Sequence, residues 1–154
     1  MSLEYYLLRP MGLTDVDGVM AIAAAQPLAP QWSRLSYVQT LDPQGFPLRI
    51  AMVAEADGEV VGFAVASVLA LQAELESMAV APTHEGHGVA RSLLTAMVGA
   101  VEREGAGEII LEVRVSNSRA IQLYHRAGFS EEGLRREYYQ RPVEDAFLMR
   151  RTIS

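Results

Sequence analysis

The chain has 154 residues, half of them hydrophobic and about a fifth charged, with a formal net charge of −6 and no cysteine. That length and composition suit one globular domain over residues 1–154 with a single sizeable core. The acidic balance argues against general nucleic-acid binding, which needs a basic footprint, and the missing cysteine excludes disulfides, thiolate catalysis and zinc–sulfur sites.

The stretch "YYLLRPM", Tyr5–Met11, reads as an opening strand. The N-terminus has no basic region followed by a long apolar run, so no signal peptide is expected, and no apolar run approaches the roughly 18 residues of a membrane span. The expectation is a cytoplasmic protein, monomeric or weakly dimeric, with no membrane or nucleic-acid partner. "TDVDGVMAIAAAQ" reads as an alanine-rich helix with Thr14 as N-cap and acids in its first turn, ended by Pro27 and Pro30. "SRLSYVQTLDP" is a second short helix, capped by Ser33 and stopped before Pro43.

"RIAMVAEADGEVVGFAVASVLA" carries a hairpin signal: two apolar runs flank Asp57-Gly58, a pair that accepts positive φ at both positions of a type I′ turn. "AELESMAV" is a further strand, ended by Pro82. From Val89 onward Leu93, Leu94, Met97, Ala100 and Val101 recur on one helical face, and Gly105 is placed to terminate it. In "EIILEVRV" Ile109, Leu111, Val113 and Val115 share one strand face, while Ile110, Glu112 and Arg114 share the other. Asn117 caps the next helix, "SRAIQLYHRAG", which ends at Gly128. "FSEEGLRREYYQ" and "VEDAFLMRRTI" read as a closing antiparallel pair. The fold class that follows is α/β of the mixed α+β kind: a mostly antiparallel central sheet, one parallel strand–helix–strand crossover, and helices on both faces.

Several residues invite a chemical reading. In "PTHEGHGVARSLL", Gly86, Gly88 and Ala90 alternate ahead of an amphipathic helix. Small residues before a helix N-terminus expose backbone N–H groups to an anion, and the helix dipole favours negative charge there. The spacing is neither a P-loop nor Gly-x-Gly-x-x-Gly. On spacing alone it is an even choice between a phosphate cradle and a tight corner, and Glu85 puts a negative charge at its rim. Glu112 lies in an apolar strand, where desolvation would raise its pKa towards that of a general base, or where an arginine could pair with it. Tyr124 is either a core tyrosine or a proton donor at a site. His84 and His87 have no strong third partner for a metal, and none is expected.

Taken together, Glu74 to Phe129 resembles the GNAT acetyltransferase superfamily. "ELESMAVAPTHEGHGVARSLL" is similar to that family's fourth strand and pyrophosphate loop, written Arg/Gln-x-x-Gly-x-Gly/Ala and falling here on Glu85, Gly88 and Ala90. "EVRVSNSRAIQLYHRAGF" is similar to its next strand, helix and Tyr-x-x-x-Gly-Phe ending. "LEVRVSN", "RREYYQRPVEDAFLM" and "QWS" at Gln31–Ser33 resemble the bacterial ribosomal-protein-alanine N-acetyltransferase group, the RimI type.

The resemblance implies acetyl transfer from acetyl-CoA to a primary amine, foremost a peptide or protein N-terminus such as that of a ribosomal protein. It implies cofactor contacts from Met78, Ala79 and Val80, from Gly86, His87, Gly88, Val89, Ala90 and Arg91, and from Asn117. It implies Glu112 as general base, Tyr124 as general acid and backbone donors on a splayed strand for the developing oxyanion. Trp32, Tyr138 and Tyr139 would border the acceptor. Competing expectations are an acetyltransferase for small amines or lysine side chains, and a non-catalytic acyl-CoA-binding module. Three departures stand out: Glu85 for arginine or glutamine, Gln31 for proline, and a short connection from Tyr139 to Glu144. An arginine at position 85 is expected to tighten cofactor binding, unless Glu85 has a partner of its own.

Overall fold

The computed structural model of the protein describes residues 6–153, so Tyr5, where the first strand was expected to begin, lies outside the described residues. Seven strands form one sheet among the described residues: β1 (Leu7–Pro10), β2 (Leu48–Ala56), β3 (Glu59–Leu69), β4 (Gln72–Val80), β5 (Glu108–Arg114), β6 (Ser130–Tyr139) and β7 (Glu144–Thr152). The spatial order is β1-β2-β3-β4-β5-β7-β6. Every neighbouring pair is antiparallel except β4 and β5, which are joined by a crossover helix. The helices are α1 (Val16–Ala24), α2 (Arg34–Gln39), α3 (Val89–Arg103) and α4 (Ser118–Arg126). This is the mixed architecture that the order of elements predicts.

Local chemistry accounts for most boundaries. Asp57 and Gly58 have φ of 52° and 79°, the left-handed pair of a type I′ turn, and Ala56 pairs directly with Glu59 across it. The Ser33 hydroxyl accepts the Ser36 N–H at 3.1 Å and starts α2. Thr14 is not the cap of α1. It lies inside a 3-10 turn, Leu13–Asp15; the N-cap position of α1 is Asp15, whose carboxylate makes no cap bond to α1 and instead accepts the Gly12 N–H at 2.7 Å at the start of the turn. Asp15 also takes two bonds from Arg9, at 2.7 and 2.9 Å, and Arg9 reaches on to Glu55. Asp15 thus binds a strand guanidinium and a backbone donor at once, and the turn it closes encloses Thr14.

Two cores lie on the two faces of the sheet. On one, Val16, Val19 and Ile22 of α1 and Tyr37 of α2 pack on Val53, Phe63, Val65 and Ala79. On the other, Leu93, Leu94, Met97 and Val101 of α3 and Tyr124 of α4 pack on Ala64, Leu75, Ile109, Leu111 and Met149. Each fully buried large side chain contributes about 1.5–3 kcal/mol. The start of α3 is seated by Gly62 on β3: a Cβ there would lie 3.0 Å from Val89 and 3.1 Å from Leu93.

The strand β4 is irregular where it matters. Val65 pairs with Ser77 and Ala66 with Leu75, so Glu76 is an extra, unopposed residue. This β-bulge exchanges the faces: Ala73 and Leu75 before it, and Met78 and Val80 after it, pack toward α3 and α4, whereas Ala79 packs toward α1. The parallel ladder to β5 stops at Glu74↔Ile110, just before the bulge, and the two strands part. No helix among the described residues is long and apolar enough to cross a membrane.

The Arg9–Asp15 contact gives a stability test. Its hydrogen bonds with Arg9 foremost, and with Gly12, hold the Asp15 carboxyl below the usual carboxylate range. Replacing Asp15 with alanine is expected to cost about 1.5–3 kcal/mol at neutral pH. A folded-state pKa below the unfolded value of about 3.9 makes this contribution complete above that value and lost as pH falls through the folded pKa. Urea unfolding of wild type and Asp15→Ala should therefore show a gap at pH 7 that closes in acid. A gap independent of pH would contradict the assignment.

Candidate active site

Beyond Glu74 the β5-facing edge of β4 runs on without a strand partner among the described residues and leads into the turn before α3. Gly86 and Gly88 have φ of 79° and 82°, a region that side chains bearing a Cβ adopt only with strain. Gly88 is the cap of α3, and the first inward bond runs from the Ser92 N–H to the Gly88 carbonyl at 3.0 Å. The N–H groups of Val89, Ala90 and Arg91 precede that bond and belong to the open end of the helix. The Glu85 side chain is turned to protein partners: it accepts from Gln26 Nε2 at 2.5 Å and from Arg119 at 2.8 Å. The condition attached to the Glu85→Arg expectation is met, so the charge at the rim is compensated rather than left facing an anion.

On β5 the alternation holds, with Ile109, Leu111 and Val113 in the core of α3 and α4. Glu112 lies on the opposite face with its side chain 11 % exposed. Its Oε1 is 3.2 Å from Arg135 Nε, while its Oε2 is buried and has no hydrogen-bond partner among the described residues. The arginine partner that the sequence left open is present, but it satisfies only one oxygen. Nearby Glu74 has its pKa raised by burial first, and then by the charges of Glu76 and Glu112. Arg49 holds Glu76 with two bonds, at 2.7 and 3.1 Å.

Asn117 caps α4 by accepting the Ala120 N–H at 3.3 Å. Tyr124, about two turns on from the cap, is 8 % exposed and packs tilted on Phe129 with ring centres 5.8 Å apart. Burial pushes its phenol well above the ordinary value, with the neighbouring Tyr139 adding to the shift. Tyr139 and Tyr138 arrive from β6, where residues 136–138 oppose Asp145 alone and Glu137 adopts a φ of 51°. The irregularity re-aims the strand end. Tyr138 is pushed up to about 12, first by the Glu112 carboxylate beside it and then by burial. Tyr139 is also pushed up to about 12, by burial and then by the charge of Glu112. Arg114 lies 4.4 Å from the Tyr139 ring centre and binds Pro142 O, Gln140 O and Glu144, pinning the short β6–β7 turn.

These elements enclose a cleft of about 1170 Å³ that passes through the gap between β4 and β5. Met78, Ala79, Val80, Gly86, Gly88, Val89, Ala90, Arg91, Glu112, Asn117, Tyr124 and Tyr139 all line it. His87, Trp32 and Tyr138 are not among the lining residues. His87 is turned to His84, with ring centres 6.4 Å apart, and Trp32 stacks on Tyr37 at 5.2 Å in the core below α1 and α2. Gln31 donates to Ala23 O, Gln26 O and Ala29 O, bonds a proline could not make, and so fixes the Gln26–Pro30 connection that forms one wall.

Sequence reasoning missed Gln26, Ser77, Arg119, Arg126 and Arg151, which also line the cleft. Only Arg119 carried a signal, as a charged residue two positions after a cap. Among the described residues no three His, Asp or Glu side chains converge as a metal-binding group.

Comparison with known proteins bears on what such a cleft is for. Residues 19–129 match the Acetyltransferase (GNAT) family. A Sulfurisphaera tokodaii protein named N-alpha-acetyltransferase is 35 % identical over 159 residues, covering 94 % of this chain and 91 % of its own. The Escherichia coli K12 protein named [ribosomal protein bS18]-alanine N-acetyltransferase is 38 % identical over 100 residues, covering 64 % of this chain and 68 % of its own. Among solved structures, the ribosomal-protein-S18-alanine N-acetyltransferase from Escherichia coli superposes with a TM-score of 0.84 at 30 % identity, covering 97 % of this chain and 95 % of that one.

Proposed function

The chain belongs to the acetyltransferase (GNAT) family and is an N-acetyltransferase that uses acetyl-CoA; from that premise we propose that its acceptor is the α-amine of a protein or peptide N-terminus, with Glu112 as general base and Tyr124 as general acid. The observation that carries the proposal is Glu112 itself. It is a largely buried carboxylate whose inner oxygen has no hydrogen-bond partner among the described residues, and it lines the same cleft as a buried phenol.

The residues present fit the acyl donor. Left-handed glycines keep the turn before α3 bare, the open helix end supplies N–H donors, and Arg91, Arg119, Arg126 and Arg151 put positive charge around the cleft of an otherwise acidic chain. Acetyl-CoA supplies an activated acetyl thioester. Gly86 to Arg91 would hold its phosphates, the free edge of β4 at Met78, Ala79 and Val80 would bond its amide-bearing arm, and Asn117 would contact it beside the cap.

An α-amine has a pKa of about 7.7–8.0, so a large fraction is protonated at neutral pH and cannot attack. The unpartnered Oε2 of Glu112 is the acceptor for that proton, directly or through a water. Arg135, more than half exposed, can give up its hold on Oε1 as the cationic amine approaches. Tyr124, raised above the ordinary phenol value, keeps its proton through neutrality and can hand it from Oη to a departing thiolate. Tyr138 and Tyr139 lie near Glu112 and would border the first residues of the acceptor. The relatives' names support an N-terminal substrate of the ribosomal-protein kind.

Two experiments test this reading. Glu112→Gln and Tyr124→Phe should fold as wild type and lower kcat by about 10²–10⁴-fold, measured by CoA release under saturating substrates; full activity in both would remove the role assignment. A panel of alanine-initiated peptides, their Nα-blocked lysine-containing counterparts, and polyamines should show turnover concentrated on the free α-amine. Preference for polyamines would instead point to the acidic group of Glu74, Glu76 and Glu112 as a polycation site.

A further inference from the structure

We propose that Arg119, on the first turn of α4, binds a phosphate group of acetyl-CoA, and that Glu85 is its exchangeable counter-ion, releasing the guanidinium when the phosphate arrives. The inference rests on the assignment of the Gly86–Arg91 turn as the phosphate cradle.

The turn has a charge inverted at its first position. Where the related motif has arginine or glutamine, this chain has Glu85. A carboxylate at the mouth of a polyphosphate site would repel its ligand unless it were neutralised. It is neutralised from another element: Arg119 binds one carboxylate oxygen at 2.8 Å and Gln26 Nε2 binds the other at 2.5 Å. The Arg119 guanidinium is therefore held over the turn. Its second amino group lies 3.9 Å from where a Cβ on Gly86 would be, and the residue lines the cleft.

The pair is built to exchange. The Arg119 side chain is 67 % exposed and that of Glu85 33 % exposed, so water screens their attraction and the pair is weak. A phosphate offers the planar guanidinium a second bond and more charge than a carboxylate. When Arg119 leaves, Glu85 keeps its bond from Gln26, which is itself anchored on Val80 O at 2.7 Å. The cation the motif takes from position 85 is thus supplied here from position 119, and the acid at 85 stores it at the point of use.

The test is calorimetric binding, with no acceptor present. Arg119→Ala should raise the Kd for CoA by about tenfold, the scale of one charge-assisted bond less an exposed ion pair, and should flatten its dependence on salt. Arg119→Lys should recover part of the loss. Glu85→Gln, which removes the competing charge and keeps an acceptor for Gln26, should lower the Kd by a few-fold. Dephospho-CoA separates the two possible phosphates. Loss of the CoA-over-dephospho-CoA preference in Arg119→Ala assigns the 3′-phosphate, and an equal loss for both ligands assigns the pyrophosphate. Unchanged CoA affinity in Arg119→Ala, or an equal loss for S-acetylpantetheine, which has no phosphate, overturns the proposal. Gly88→Val separates this from failure of the cradle itself: if it abolishes CoA binding while Arg119→Ala does nothing, the turn stands and Arg119 falls; if neither changes affinity, the turn is the wrong site.

Discussion

The parting of β4 from β5 is the constraint on which the rest of the molecule depends. Two adjacent parallel strands share a ladder for three residue pairs and then separate at Glu74 and Ile110. The gap cannot simply close. Strand β4 is tied to β3 from Gly62↔Val80 to Leu69↔Gln72, and β5 to β7 along its whole length, so closure would break ladders on both sides. The bulge at Glu76 bends β4 where the ladder ends. The free edge it leaves carries backbone groups that require partners, and an acyl donor with amides along its arm is chemically matched to that need.

Charge follows the same geometry. The chain is acidic as a whole, yet arginines from α3, α4, β5 and β7 line the cleft. Two glutamates within it share one arrangement. Glu85 at the mouth and Glu112 in the interior are each paired to a largely exposed arginine, Arg119 and Arg135, whose hold is weakened by solvent. Each carboxylate is thereby kept from standing as an uncompensated charge while remaining available to exchange partners. The aromatic end of the cleft is fixed differently, by Arg114, which is buried and ties the Tyr139 ring and the β6–β7 turn together through several bonds at once.

Much of the fold was legible because it is local. The Asp57-Gly58 turn, the Ser33 and Asn117 caps, the period of α3 and the alternation in β5 all follow from residues a few positions apart, and the structure has each of them. The exception among the caps is instructive. Thr14 had the right chemistry, but a 3-10 turn over Leu13–Asp15 encloses it and moves the start of α1 on to Asp15, whose carboxylate is taken up by Arg9 and the Gly12 N–H. The bulge in β4 left only a trace, the break of alternation in "ESMAV", since its extra residue is defined by the register of β3 rather than by any residue type.

The sequence by itself determined the order of elements, the bare turn before α3 and the placement of a carboxylate and a phenol on consecutive elements, because each is set by the intrinsic preferences of neighbouring residues. Only the tertiary structure decided what those residues face. Whether Glu85 repels an anion or restrains a cation depends on Gln26 and Arg119, 59 and 34 positions away in the chain. Whether Glu112 is satisfied depends on Arg135 from another strand, which reaches one oxygen and leaves the other without a partner among the described residues. Charge compensation is a property of distance in space, and no spacing along the chain encodes it.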